Sequence, residues 1–256
     1  MKAFPRDIEI ETLKERHIGV ESELGVKGCE RYSENLPDDL ESKLSEKGLL
    51  QNIGHDGGGR EFRTNPISVK SLLKQVRGRK YFEGYYMELK HHTTVLGSGG
   101  THVHISILDS DHENMEANAV ALATAFYQQF QKIAGRKSSW AFKMEVKTFE
   151  QVKEQLGRSR RSNRVYEMKG SILGPTYHKT LEFRGPKGSN NSEEILAWID
   201  FLNGVVKVAN RKSVNGVKFA DLIKGSCISE YVKTLTGTRK FTKHELNKTL
   251  NTAKLA

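Results

Sequence analysis

Four short stretches each carry two polar side chains two residues apart. These are Glu21 and Glu23 in HIGVESEL, Glu61 and Arg63 in REFRT, His102 and His104 in THVHIS, and Glu182 and Arg184 in TLEFRG. Strand side chains alternate between faces, so in an extended strand each pair shares one face. The residues between and beside them, such as Val20, Phe62, Val103 and Phe183, then share the other. One such strand would suit a sheet face in water, as antiparallel sheets often show. Four of them, built from Glu, Arg and His rather than Lys, Thr, Ser and Gln, point to chemistry. On one sheet they would gather four carboxylates and two guanidiniums, a net of −2 with neutral histidines. Crowded carboxylates repel and take up protons unless cations compensate. Mg²⁺ and Mn²⁺ are the hard cations that oxygen ligands hold best. The arginines suit a phosphate, which a guanidinium grips with two parallel hydrogen bonds.

The elements that must position these residues are strands and tight turns. A first strand is expected over 16–25, a second around Glu61, a third around His102 and His104 and a fourth over 180–185. A further Tyr-, Thr- and Val-rich strand is expected over 84–96, holding His91 and His92. Gly97, Gly99 and Gly100 precede the histidine strand and let backbone come close to a phosphate without Cβ clashes. Helices are expected over 37–47, 67–78, 114–134, 148–157 and 192–209, with shorter pieces near 217–224, 228–236 and 242–253. Pro37 near a first turn and Gly135 after a last one supply boundaries. Strands and helices are interspersed, and the fold class expected is α+β. The chain reads as one catalytic domain over 1–256, with an arm at 1–15 and a mostly helical part at 192–256.

Composition narrows the class. The 256 residues are 36% hydrophobic and 28% charged, enough for a substantial core. The formal net charge of +10 suits an anionic partner such as a nucleotide or nucleic acid. Gly157–Arg164, GRSRRSNR, is the densest basic run. Cys29 and Cys227 lack metal-ligand spacing and read as free thiols in a reducing compartment. No apolar run approaches the roughly 18 residues a span needs, and the N-terminus has no signal-peptide core. A cytoplasmic protein with no membrane contact is expected. Neither GxxxxGK[ST] nor GxGxxG occurs, which argues against those nucleotide folds.

The order Glu-x-Glu, glycine-rich His-x-His, arginine-rich loop, Glu-Phe-Arg resembles the glutamine synthetase-like carboxylate–amine ligases. GSGGTHVHIS (97–106) is close to their GSGMHVHxS strand, and TLEFRGPKG (180–188) to their IEFRxPD strand. The size, and DGGGREFRTNPIS standing between the first two motifs, look most like the phage-type amidoligases of that superfamily, which implies a phage-encoded protein in a host cytoplasm. The resemblance implies a curved antiparallel sheet with helices on its convex face and Mg²⁺ or Mn²⁺ with ATP on its concave face. It implies metal ligation by Glu21, Glu23, Glu61, His102 and Glu182. It implies ATP contacts from Gly97, Gly99, Gly100, His102, Arg161, Arg164 and Arg184. Arg184, with Glu61 and Arg63, makes up the implied catalytic set. His104 is left outside the ligand set. The sequence departs from glutamine synthetase at Gly185-Pro186-Lys187 and lacks an ammonia-site segment, so an amine-bearing molecule is expected rather than free ammonia. Peptides, polyamines and modified nucleobases are the candidate substrates.

The chemistry accounts for the residue types. A carboxylate is a poor electrophile at neutral pH. Transfer of the γ-phosphoryl group of ATP makes an acyl phosphate, which an amine can attack. Such transfer depends on positioning and charge neutralisation. Two other classes compete. A metal-dependent nuclease or phosphoesterase would use His92-Thr93-Thr94 with His104-Ile105-Ser106. A non-enzymatic nucleic-acid binder would use the GRSRRSNR loop, but it gives no reason for the glutamate pairs.

Overall fold

Alternation of apolar and polar residues builds the central strand. In the computed structural model β1 spans His17–Val26, and Ile18, Val20, Ser22 and Leu24 are buried on one face. The structure describes residues 15–29, 39–56, 59–134, 149–161, 172–176 and 179–223. The expected arm up to residue 14, Pro37, Gly135, Arg164, Cys227 and the helices near 228–236 and 242–253 lie outside them.

β1 organises an open antiparallel sheet. β2 (Leu50–Asp56) and β3 (Gly59–Thr64) follow on one side, and β6 (Thr101–Ser106), β8 (Thr180–Phe183) and β7 (Leu173–Pro175) on the other. β4 (Ile67–Ser68) pairs with the first residues of β1 and β5 (Thr93–Val95) with its last. The two edges of β1 are thus each covered by two strands. Arg16 secures the register by donating to the Ser106 carbonyl and to the Asp111 carboxylate, 2.9 Å each.

The helices lie on the apolar face. They are α1 (Leu40–Glu46), α2 (Val69–Lys74), α3 (Val76–His92), α4 (Met115–Ala125), α5 (Tyr127–Ala134), α7 (Ser192–Ala209) and α8 (Phe219–Ile223). All contribute to one core with Ile18, Val20, Phe62, Val103, Leu181 and Phe183. α7 is apolar almost all round, which suits a helix at the centre of a core. The Asn191 side chain caps it by accepting from the Glu193 amide at 2.9 Å. Trp198 and Phe201 of α7 pack with Phe130 around Phe183. α6 (Phe149–Arg161) rests instead on α4, through Val152 and Leu156 against Ala117 and Val120. The class is α+β, as the sequence indicates, with the helical layer on one sheet face.

One expected strand is a helix. Residues 84–92 belong to α3, and β5 holds only Thr93–Val95. Phe82, Tyr85, Tyr86 and Leu89 fall at i, i+3, i+4 and i+7 and are all buried. That helical stripe outweighs the strand preference of tyrosine. His91 and His92 therefore end a helix. The helix expected over 67–78 breaks at Gln75, whose backbone is extended. The one expected over 114–134 divides at Phe126. No helix among the described residues is long and apolar enough to cross a membrane.

Candidate active site

Strand register brings the four polar pairs together on the sheet face opposite the helices. Glu21 lies between Arg63 of β3 and His102 of β6. Glu23 stands beside Glu61, and His104 beside Glu182. Glu182 follows Leu181 on the face turned away from the core, and Arg184 comes directly after β8.

Glu21 is the shared centre. Its Oε2 is 3.3 Å from His102 Nδ1, and its Oε1 is 3.4 Å from Arg63 Nε and 3.5 Å from His104 Nε2. His102, fully buried, also reaches Glu23 Oε1 at 3.3 Å and Glu182 Oε1 at 3.4 Å. Arg63 Nη2 pairs with Glu61 Oε2. Arg184 Nη1 donates to Glu182 Oε1 at 2.6 Å. Burial alone would raise the Glu21 pKa, but the His102 and His104 imidazoles beside it outweigh that and hold the carboxyl well below its ordinary range. Burial would likewise lower the His104 pKa. The close Glu21 and Glu182 carboxylates overcome that and raise it.

The glycine loop fixes Glu23. β5 and β6 pair along the same edge of β1, and residues 96–100 are the excursion between them, opposite Glu23. The Gly100 amide donates to the Glu23 carboxylate, and the Glu23 amide donates to the Gly100 carbonyl at 2.9 Å. A Cβ on Gly99 would sit 2.5 Å from the Glu23 carbonyl oxygen, so only glycine fits there. The Gly185-Pro186-Lys187 segment braces this loop, because the Thr101 amide donates to the Pro186 carbonyl and Gly100 bridges to Lys187. Gly99 and Gly100 are buried, whereas Gly97 is exposed with open space around it.

Two sets of donor atoms can hold a cation. Glu21, Glu61 and His102 form one and Glu21, His104 and Glu182 the other, the atoms within each lying within 4.8 Å of one another. Both pair two carboxylates with one imidazole, a donor set that suits Mn²⁺ as well as Mg²⁺. His104 Nε2 is buried with no hydrogen bond, 3.5 Å from Glu21 and 3.8 Å from Glu182. A cation among these three groups would satisfy that nitrogen. The neighbours of the cluster on this face are small. Gly54 stands beside Glu61, Gly19 beside His104 and Gly174 beside Glu182. At Gly54 a Cβ would lie 3.1 Å from Arg63 Nη1 and 3.4 Å from Glu61 Oε2.

The structure thus unites Glu21, Glu23, Glu61, Arg63, His102, Glu182 and Arg184, with Gly99 and Gly100 against Glu23. Arg161 ends α6, the helix that packs on α4, and Arg164 lies outside the described residues. His104 is the residue the sequence left aside. Its spacing from His102 was the available signal, and only the register with Glu182 gives it a partner. His92 is not drawn into the cluster: its ring meets Glu88 of α3 at 3.1 Å. Tyr85 and Tyr86 lie on the core side, where burial pushes both phenols far above their ordinary pKa.

No family model matches the chain, and no curated protein matches it in sequence. Among solved structures it is similar to a chain in the crystal structure of the complex between the prokaryotic ubiquitin-like protein Pup and its ligase PafA. The identity is 13% and the TM-score 0.38, over 93% of this chain and 57% of that one. The chain therefore spans little more than half of that neighbour's length.

Proposed function

We propose that this protein is an ATP-dependent carboxylate–amine ligase of the glutamine synthetase-like kind, forming an amide bond through an acyl phosphate. The observation that carries the reading is the shared Glu21, with one carboxylate–imidazole set on each side and an arginine beside each. Bound Mg²⁺ or Mn²⁺ would supply charge neutralisation for the phosphates. Glu21, Glu61 and His102 would hold one ion, and Glu21, His104 and Glu182 another. Glu23, held by Gly100 and His102, keeps the first set in place. Arg184 and Arg63 are available to phosphate oxygens by exchanging one of their present carboxylate contacts. Their guanidiniums would then sit on the transferring group, where charge spreads over the equatorial oxygens. An amine-bearing molecule, rather than free ammonia, is the proposed nitrogen donor.

The test is formation of ADP that requires a carboxylate and an amine together, screened over peptide, polyamine and nucleobase substrates with Mg²⁺ or Mn²⁺. Arg184→Lys should lower the rate by on the order of 10³-fold while ATP-analogue binding persists, because a lysine keeps the charge but loses the planar fork. Metal-dependent cleavage of a phosphodiester without ATP would replace this reading by the phosphoesterase one.

A further inference from the structure

Outside the site, the apolar residues left in solvent fall on one element and its continuation. The exposed large hydrophobics among the described residues are Val76 at 73%, Met87 at 60%, Tyr81 at 52% and Val95 at 50%, three on α3 and one on β5. α2 and α3 also carry exposed cations. Lys70, Lys74, Arg77, Lys80 and Lys90 are exposed, and no ion pair to any of them occurs among the described residues. The acids of α3 are already engaged, Glu83 with Arg79 at 2.7 Å and Glu88 with His92 at 3.1 Å. Arg77 lies over the Tyr81 ring, 5.8 Å from its centroid.

A glycine marks the middle of this face. Arg77, Lys80, Gly84, Met87 and His91 fall at i, i+3, i+7, i+10 and i+14, one stripe of the helix. Glycine inside a helix is unfavourable relative to alanine. Gly78 has an internal reason, since a Cβ there would meet Ser71 Oγ at 2.3 Å. Gly84 has none: a Cβ there would meet nothing within 4 Å. The bare backbone at Gly84 leaves a notch between Lys80, Tyr81 and Met87 that no side chain among the described residues fills.

We propose that the outer face of α2 and α3 binds single-stranded nucleic acid. Lys70, Lys74, Arg77 and Lys80 contact successive phosphates, and the strand follows the stripe from Arg77 to His91, roughly 20 Å at about 1.5 Å per residue. Tyr81 stacks on an unpaired base, and Val76 and Met87 cover further base surface. The strand lies against the helix at Gly84. A phosphate chain is the occupant that complements a row of unpaired cations flanking an exposed aromatic ring. The net charge of +10 favours its approach over long range. This inference stands apart from the ligase reading, because none of these residues belongs to the glutamate–histidine cluster.

The test is fluorescence anisotropy of a labelled single-stranded oligonucleotide of about 20 nucleotides, titrated with the full chain at increasing salt. The triple variant Lys74→Gln/Arg77→Gln/Lys80→Gln should lower the slope of log affinity against log salt by about 2, at roughly 0.7 per lost phosphate contact. Tyr81→Ala should weaken binding on the order of tenfold with the slope unchanged, as lost stacking requires. Gly84→Leu should weaken binding while raising the melting temperature, a combination that a purely structural role would not give. The proposal is overturned by absence of binding at low salt, or by a triple variant that binds like wild type. Polyglutamate or anionic vesicles competing as well as unlabelled oligonucleotide would also overturn it.

Discussion

At the scale of single residues, Glu21 and His104 set how the site responds to protons. Glu21 is held below its ordinary 4.5, so its stabilising contribution is present above that pH and is lost as pH falls toward the folded value. His104 is raised above 6.5, so its contribution is complete below 6.5 and is lost as pH rises through the folded value. With chelator present, the protein should therefore melt highest between pH 4.5 and 6.5 and less well above. His104→Gln should flatten the alkaline side, and a metal-free melting temperature that climbs steadily above pH 6.5 would contradict this. With Mn²⁺ the alkaline trend should reverse, since a protonated imidazole cannot ligate. The roles of these residues were unevenly legible. The spacing of Glu21, Glu61, His102 and Glu182 placed them on one face. His104 shows the same spacing, but its partner comes from strand register, which no single strand encodes.

At the scale of elements, each strand has one face for the core and one for the site, and the two faces fail differently. Phe183 of β8 is fully buried among Phe130, Trp198 and Phe201. Phe183→Ala should cost roughly 3–5 kcal/mol in urea unfolding, as for other large core truncations. A variant as stable as wild type would mean the strand faces are reversed. Gly99→Ala should act on the other face. Its Cβ meets the Glu23 carbonyl oxygen, so the loop must shift and loosen Glu23. Mn²⁺ affinity measured by calorimetry should fall with little loss of melting temperature, and unchanged affinity would remove the loop's positioning role. Strands with chemistry on one side and Val, Ile or Phe on the other were readable from alternation. β2, β4 and β7 were not: β4 and β7 are too short to show the pattern, and β2, LQNIGHD, does not alternate cleanly between apolar and polar residues. The end of α3 was misread because Tyr85 and Tyr86 favour strands locally, while Phe82 and Leu89 complete a helical stripe visible only over a longer window.

At the scale of the whole molecule, the sheet separates two functions of the chain. The helices and apolar face give stability, and the opposite face gathers four carboxylates, two imidazoles and two guanidiniums around Glu21. That division explains how a cluster so costly in charge repulsion persists: its rigid backing is elsewhere, and cations can balance its excess of carboxylate. It also predicts that site substitutions alter ligand binding more than folding. The proposed function requires that this face bind ATP through divalent metal. Its most direct test is a calorimetric titration of a non-hydrolysable ATP analogue into the protein with Mn²⁺, with Mg²⁺ and with chelator, repeated on Glu182→Gln. Binding that requires metal and disappears in Glu182→Gln, with the circular dichroism spectrum unchanged, is the predicted result. Absence of nucleotide binding under every metal condition, or binding that persists undiminished in chelator and in Glu182→Gln, would contradict it.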